Sequence, residues 1–398
     1  MIRIVCVVGA RPNFVKMAPL VRHIKEEWSD TFETTLVHTG QHYDEKLSQI
    51  FFEELRMPQP DVNLGVGSGT AVRQIAEIMQ RFEEVLLWKK PDRVVVVGDV
   101  NSTLATALAA EKMGIPVAHV EAGLRSFDPA MPEETNRVLT DRVSDLLFAT
   151  EESAVQNLLN EGFDKERIFW VGNIMIDSLI SHSHEAGRST ILNRMSLAPQ
   201  EYALVTLHRP SNVDTQEGMG RMVALLSEVE KRIRVLFPIH PRTRGRMEEF
   251  GLASALGTLR NVTLCEPVGY LDFIRLMRDA KMVLTDSGGI QEETTALGTP
   301  CLTLRENTER PATITEGTNL LIGTDPQRVL AAVVDILEGR GKKGRVPTLW
   351  DGQAAQRIVR ILQARSAGCA SHLKEAPLLV RDADFGMRSG KQRMDDVS

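Results

Sequence analysis

The chain has 398 residues, with 47 Lys and Arg against 53 Asp and Glu, a formal net charge of −6 with His neutral, and it is 42% hydrophobic and 25% charged. That composition belongs to a folded globular protein of about two domains and excludes a wholly disordered chain. The acidic balance excludes a surface built to wrap nucleic acid, while leaving room for one basic cleft. No apolar run reaches the roughly 18 residues of a membrane helix.

From the start of the chain, short β-branched runs alternate with helical patterns. The first series of strands is predicted at Ile4–Val8, Thr34–His38, Val94–Val97, Val117–Val120, Leu146–Ala149 and Ile168–Val171. Helix-length segments such as Val15–Glu27, Thr70–Trp88 and Ser102–Met113 lie between them. Met1–Gly9 is interrupted too soon, by Arg11 and Lys16, to be a signal core, and no small-residue cleavage site follows it. A second series follows at Tyr202–Thr206, Val235–Ile239, Val262–Leu264, Met282–Thr285, Pro300–Leu304 and Leu320–Ile322, with Met219–Lys231 as one of its helices. Alternation of this kind predicts an α/β fold of two doubly wound domains with parallel sheets. Asn173–Ser196 is the expected join, and its His182 and His184 read as a solvated helix end. Asp351–Ala364 reads as a last amphipathic helix, and residues 365–398 as a poorly ordered tail. The four cysteines, Cys6, Cys265, Cys301 and Cys369, form no C-x-x-C pair, and this usage fits a reducing cytoplasm.

In open α/β sheets ligands sit beyond the carboxyl ends of the strands, so the residues after each strand carry the chemistry. After the first strand, Gly9-Ala10-Arg11-Pro12-Asn13-Phe14-Val15-Lys16 is no dinucleotide fingerprint, but Arg11 and Lys16 suit a phosphate. Asp99 follows Val94–Val97, with Ser102 or Thr103 as the expected cap of the next helix. Glu121 closes Val117–Val120, where a buried carboxylate costs several kcal/mol unless it is paired. Glu133 and Glu134 open a helix behind Pro132. In the second half, His208-Arg209 and His240 end strands. Asp286-Ser287-Gly288-Gly289-Ile290-Gln291-Glu292-Glu293 reads as strand, glycine turn and helix start, a cradle for a diphosphate with Glu293 in reach of a ribose diol. Thr308-Glu309-Arg310-Pro311 adds a cation to the same layer.

Together, Gly9-x-Arg11-Pro12 with Lys16, Gly98-Asp99, His119-Val120-Glu121-Ala122-Gly123-Leu124-Arg125, Pro132-Glu133-Glu134-x-Asn136-Arg137, His208-Arg209, the Asp286–Glu293 segment and Thr308-Glu309-Arg310-Pro311 resemble the non-hydrolysing UDP-N-acetylglucosamine 2-epimerases. The resemblance runs from Met1 to about Leu362. It implies two Rossmann-like domains facing across a cleft, the glycosyltransferase-B-like arrangement. The N-terminal domain would be 1–174 plus 351–364, and the UDP-binding domain 175–350.

The implied reaction inverts C2 of UDP-N-acetylglucosamine to give UDP-N-acetylmannosamine. That C2 hydrogen is not acidic, so the implied route is elimination of UDP to a 2-acetamidoglucal and re-addition, with no cofactor and no metal. The resemblance makes Asp99, Glu121 and Glu133 the acid/base group, with His208 holding the departing UDP. Arg11, Lys16, Arg209 and His240 line the cleft, Ser287, Gly288 and Gly289 hold phosphate, Glu293 takes the ribose, Arg310 lies beside the sugar and Phe273 near the uracil. A homodimer is also implied, with neither nucleic acid nor membrane as partner. The chain departs from the best-known bacterial members at Tyr43, where they carry Arg, and at Pro210-Ser211-Asn212, where they carry an acid. A glycosyltransferase of the same architecture, or an epimerase of a related UDP-N-acetyl sugar, are the alternatives.

Overall fold

The computed structural model describes residues 1–41 and 54–366, apart from the side chain of Arg11. Tyr43 and the tail from residue 367 onward lie outside the described residues. Two parallel sheets account for the strands. The first comprises β1 (Ile2–Val8), β2 (Phe32–His38), β3 (Val62–Asn63), β4 (Arg93–Val97), β5 (Val117–Ala122), β6 (Leu146–Ala149) and β7 (Ile168–Trp170), in the order β3-β2-β1-β4-β5-β6-β7. The second comprises β8 (Tyr202–Thr206), β9 (Arg234–Pro238), β10 (Val262–Cys265), β11 (Met282–Thr285), β12 (Cys301–Thr303) and β13 (Asn319–Leu321), in the order β10-β9-β8-β11-β12-β13. Each order reverses after its first strand, which is the doubly wound, Rossmann-like topology, and the pair forms the glycosyltransferase-B-like fold. All twelve strands expected from sequence are present, and among the described residues β3 is the one that sequence missed, because two residues are too short to show alternation.

β4 is buried along its whole length, and its Val94–Val97 run is apolar on both faces, as a strand between two neighbours should be. Asn13 starts the first helix, Arg11–Glu27: its Oδ1 accepts from the Ala10 amide (3.1 Å), while its Nδ2 donates to the Val97 carbonyl (2.8 Å). The helix therefore begins four residues earlier than its apolar period suggested, and Lys16 lies more than a turn inside it. Val100, not Ser102 or Thr103, occupies the cap position of the helix Asn101–Lys112, its carbonyl accepting from the Thr103 amide. Ser102 and Thr103 are buried within it, and the Thr103 hydroxyl donates to the Val97 carbonyl.

Helix Ile174–Ala186 follows the first sheet and joins the two halves. Ile174 and Leu179 share one apolar core with Phe14 and Val21, with Tyr202 and Leu204 of the second sheet, and with Ile358 and Leu362 of the last helix, Ala354–Ser366. His182 belongs to this layer: it is buried, its Nδ1 lies 2.8 Å from the Ser178 carbonyl, and its ring meets Tyr270 edge-on. The expected solvated pair is thus half wrong, because the apolar spacing of this helix turns position 182 inward and leaves 184 exposed. The last helix is anchored by Asp177, whose carboxylate accepts from the amides of Ala354 (3.1 Å) and Ala355 (2.7 Å). Those amides have no partner inside their own helix.

Candidate active site

The carboxyl ends of the two sheets face each other, and charged residues from both fill the space between them. Glu121 is central. It lies at a bulge where the β5–β6 register shifts, with a left-handed φ of 77°. A bulge of this kind re-aims one side chain, and left-handed backbone at a non-glycine residue costs about 1–3 kcal/mol. The carboxylate is buried, with Oε2 2.5 Å from Lys16 Nζ and Oε1 accepting from Arg310 Nη2 at 2.6 Å. Burial by itself would raise its pKa; Arg310 and Lys16 outweigh burial and hold it at about 2. An acid of the first sheet is therefore neutralised by one cation from each half of the molecule.

Arg310 reaches a second carboxylate. Its Nε lies 3.2 Å from Oε1 of Glu292, on the helix Gly288–Leu297. Glu292 is fully buried, accepts from Asn173 Nδ2 (2.8 Å), and has no hydrogen-bond donor at Oε2 among the described residues. Burial raises its pKa to about 8, with the nearby Glu121 charge adding to the rise and Arg310 opposing it. The two acids beside one guanidinium are thus driven apart, one ionised and the other protonated.

Asp99 follows β4, and its Oδ2 accepts from Arg137 Nη2 at 2.5 Å. The turn that presents it is pinned twice: Asn136 Nδ2 donates to the Asp99 carbonyl (2.9 Å), and His119 Nε2 lies 2.8 Å from the Gly98 carbonyl. His119 is itself held by Asp141, with Nδ1 2.6 Å from Oδ1. Arg137 continues to Glu134 Oε2 (2.7 Å) and toward Glu309 (4.0 Å). Glu134 also accepts from the Ser126 and Phe127 amides, so it braces the loop beside the site. Its neighbour Glu133 is more exposed and faces Arg209 across the two halves at 3.8 Å. Arg209 lies equally far from Glu309, a buried carboxylate that burial would raise but that Arg310 and Arg305 drive well below the usual range.

His208 follows β8 with its ring half exposed, and its Nδ1 lies 3.0 Å from Oδ1 of the fully buried Asp286. Ser287 caps the helix Gly288–Leu297, but its own amide donates to Thr285 Oγ1. A side chain at Gly288 would have its Cβ 2.5 Å from Glu309 Oε1, so adding one would force that carboxylate to shift. The space at Gly289 is bounded by Met175.

Asp99, Glu121, Lys16, Glu133, Arg209, Arg310, His208 and the Ser287–Gly289 turn therefore gather at one charged cleft. Three other expected residues lie apart from these ion pairs. His240 is exposed at the end of β9 and accepts the Arg242 amide as the cap of its own helix, Pro241–Glu249. Phe273 is partly buried against the apolar core. Glu293 is buried, receives a hydrogen bond from the Tyr270 hydroxyl (3.1 Å), and is raised by burial to about 7. The side chain of Arg11 lies outside the described residues. Sequence reasoning missed the partners Asp286, Glu292, Glu309 and Arg137 although each stood in a quoted motif, because nothing in the order of residues says which charges meet. No group of three His, Cys, Asp or Glu side chains among the described residues is placed to hold a metal ion.

Two facing doubly wound sheets with acids and cations interlocked at their joint carboxyl ends define a two-domain α/β protein of the glycosyltransferase-B-like class. The chain belongs to the UDP-N-acetylglucosamine 2-epimerase family, whose model matches residues 25–363. It is 42% identical to a UDP-N-acetylglucosamine 2-epimerase of Methanococcus maripaludis over 91% of this chain and 98% of that one. It is 41% identical to the UDP-2,3-diacetamido-2,3-dideoxy-D-glucuronate 2-epimerase of Pseudomonas aeruginosa over 90% of this chain and 99% of that one. Among solved structures it resembles the UDP-GlcNAc 2-epimerase of Methanocaldococcus jannaschii in complex with UDP-GlcNAc and UDP, with TM-score 0.84 and 42% identity over 91% and 99% of the two chains.

Proposed function

We propose that the protein interconverts UDP-N-acetylglucosamine and UDP-N-acetylmannosamine by eliminating and re-adding UDP. A base in the cleft takes the C2 proton while the C1–O bond breaks, leaving 2-acetamidoglucal and UDP. UDP then returns to C1 as a proton is delivered to the opposite face of C2. The observation that carries this reading is Glu121, a buried acid held between Lys16 and Arg310. While paired it is too weak a base for C–H cleavage. An incoming diphosphate competes for the same two cations, and once they turn to phosphate, burial raises the carboxylate toward basicity. Asp99 and Glu133 complete the acid/base group. His208, Arg209, Arg11 and the Ser287-Gly288-Gly289 turn take the diphosphate, and Glu293, Phe273 and His240 the nucleoside side of the cleft.

The same reading divides the chain into 1–174 with 351–364 and 175–350, one sheet to each, and assembles it as a homodimer. Exposed Val72, Leu87, Trp88, Val138 and Leu139, on the helices Ala71–Lys89 and Pro132–Val143, support an apolar contact between copies. It places the protein in the cytoplasm, in keeping with the free thiols of Cys6, Cys265 and Cys301. One observation favours a second substrate: the Pseudomonas aeruginosa relative, named for a diacetamido uronate, is nearly as similar as the Methanococcus maripaludis relative named for UDP-N-acetylglucosamine. Incubation with UDP-N-acetylglucosamine in D2O, followed by NMR, tests the proposal. Deuterium at C2 with UDP-N-acetylmannosamine appearing is the expected result. Neither exchange nor product would reject this substrate, and the same assay with the diacetamido uronate then decides the second reading.

A further inference from the structure

Asp286 occupies an unusual position for a carboxylate. It is fully buried just after β11, and the described hydrogen bonds to its carboxylate all come from the segment that follows β8. The His208 amide lies 3.1 Å from both of its oxygens, the Arg209 amide donates to Oδ2 at 3.0 Å, Asn212 Nδ2 donates to Oδ2 at 3.0 Å, and His208 Nδ1 sits 3.0 Å from Oδ1. Burial opposes its ionisation, but His208 and the Asn212 and Arg209 donors hold it below the usual carboxylate range. An ionised carboxylate only accepts, so the hydrogen between the two side chains must belong to Nδ1. In the neutral imidazole that choice leaves Nε2 as the lone-pair nitrogen.

We propose that Asp286 is the positioning residue for His208: it fixes the ring on the Nδ1–H tautomer, turns Nε2 to the cleft, and stabilises the imidazolium that forms when Nε2 takes up a proton. The inference rests on the reading above, in which UDP departs and returns at this edge of the second sheet. The balance is simple. Nε2 takes one proton from solvent as the UDP-sugar binds. As the C1–O bond breaks, the leaving diphosphate oxygen gains the electron pair and accepts a hydrogen bond from that Nε2–H; on the return step the pair goes back to C1 while the proton stays on Nε2. Asp286 changes neither charge nor protonation during this. It also ties the His208 backbone to the strand that leads into Ser287, so the ring and the glycine turn move as one body. Second-partner carboxylates that set a histidine tautomer recur in catalytic and metal sites, and losing one costs about 10-fold or more in activity or in affinity.

The test begins with the unaltered protein. In 15N-histidine-labelled material at a pH where the ring is neutral, two-bond 1H–15N correlations report which nitrogen carries hydrogen, and the His208 signal is the one absent from His208→Gln. Hydrogen on Nδ1 is expected; hydrogen on Nε2 overturns the proposal without any variant of Asp286. Asp286→Asn should lower kcat about 100-fold, the lower range of general acid–base effects, while KM for the UDP-sugar stays within about threefold. In a His208→Gln background the same substitution should cost almost nothing further, because Asp286 acts through the ring. An equal further loss in that background would make Asp286 merely structural and would overturn the proposal. If the unaltered protein epimerises no UDP-sugar, the functional reading falls instead, and the tautomer measurement still decides this one.

Discussion

Glu292→Gln is a test of how the buried charges are divided. The native carboxyl has a pKa of about 8 against an ordinary 4.5, because burial and the neighbouring Glu121 charge outweigh the attraction of Arg310. A carboxyl raised in the folded state contributes stability that is fully present below pH 4.5 and is lost as pH rises through 8. The loss proceeds at up to about 1.4 kcal/mol per pH unit, which gives about 2 kcal/mol between pH 6 and 8. No solvent discount applies to a carboxyl with no exposed surface. Gln mimics the protonated acid: its carbonyl can accept from Asn173 as Glu292 Oε1 does at 2.8 Å. Urea unfolding of both proteins at pH 6 and pH 8 provides the measurement, with free energies taken by linear extrapolation. Glu293 and Asp177, also raised by burial, titrate near this window, but their contributions cancel in the difference between the two proteins. The variant should gain about 2 kcal/mol on the native protein between the two pH values. Parallel pH dependences would refute the argument. So would a variant less stable by 2 kcal/mol or more at both, which would mean that Glu292 is ionised and usefully paired with Arg310.

Asp99→Asn and Glu121→Gln should each lower turnover of the UDP-sugar at least about 100-fold while leaving UDP affinity within a few-fold, measured by coupled assay and calorimetry; loss of UDP binding would assign these acids to structure. Asp177→Ala removes the acceptor for the Ala354 and Ala355 amides, at a cost of about 1 kcal/mol. Amide hydrogens of the helix Ala354–Ser366 should then exchange several-fold faster, and unchanged exchange would contradict the cap. At Gly123, φ is 82° and a Cβ would stand 2.3 Å from the Ala154 carbonyl oxygen. Gly123→Ala should therefore destabilise by more than about 2 kcal/mol through left-handed strain and the backbone clash together. A loss under 1 kcal/mol in urea unfolding would show that the turn can relax.

Much of this architecture was legible in the chain itself. Apolar runs such as Val94–Val97, set between helical periods, specify parallel strands, because a strand covered on both faces has no polar alternation to show. The doubly wound alternation in turn places Asp99, Glu121, His208 and Asp286 at strand ends, where ligands bind. Element ends were less legible. The Asn13 side chain and the Val100 carbonyl, which accepts from the Thr103 amide, set where the helices begin rather than the apolar period, and His182 turned inward against Tyr270 of the second half. Sequence determined which residues are present at the cleft. Only the tertiary structure decided their charge states, because ionisation depends on burial and on neighbours distant in the chain. Glu121 is ionised because Lys16 and Arg310 arrive from opposite halves of the molecule, while Glu292, beside the same Arg310, keeps its proton because burial and the nearby Glu121 charge outweigh that guanidinium.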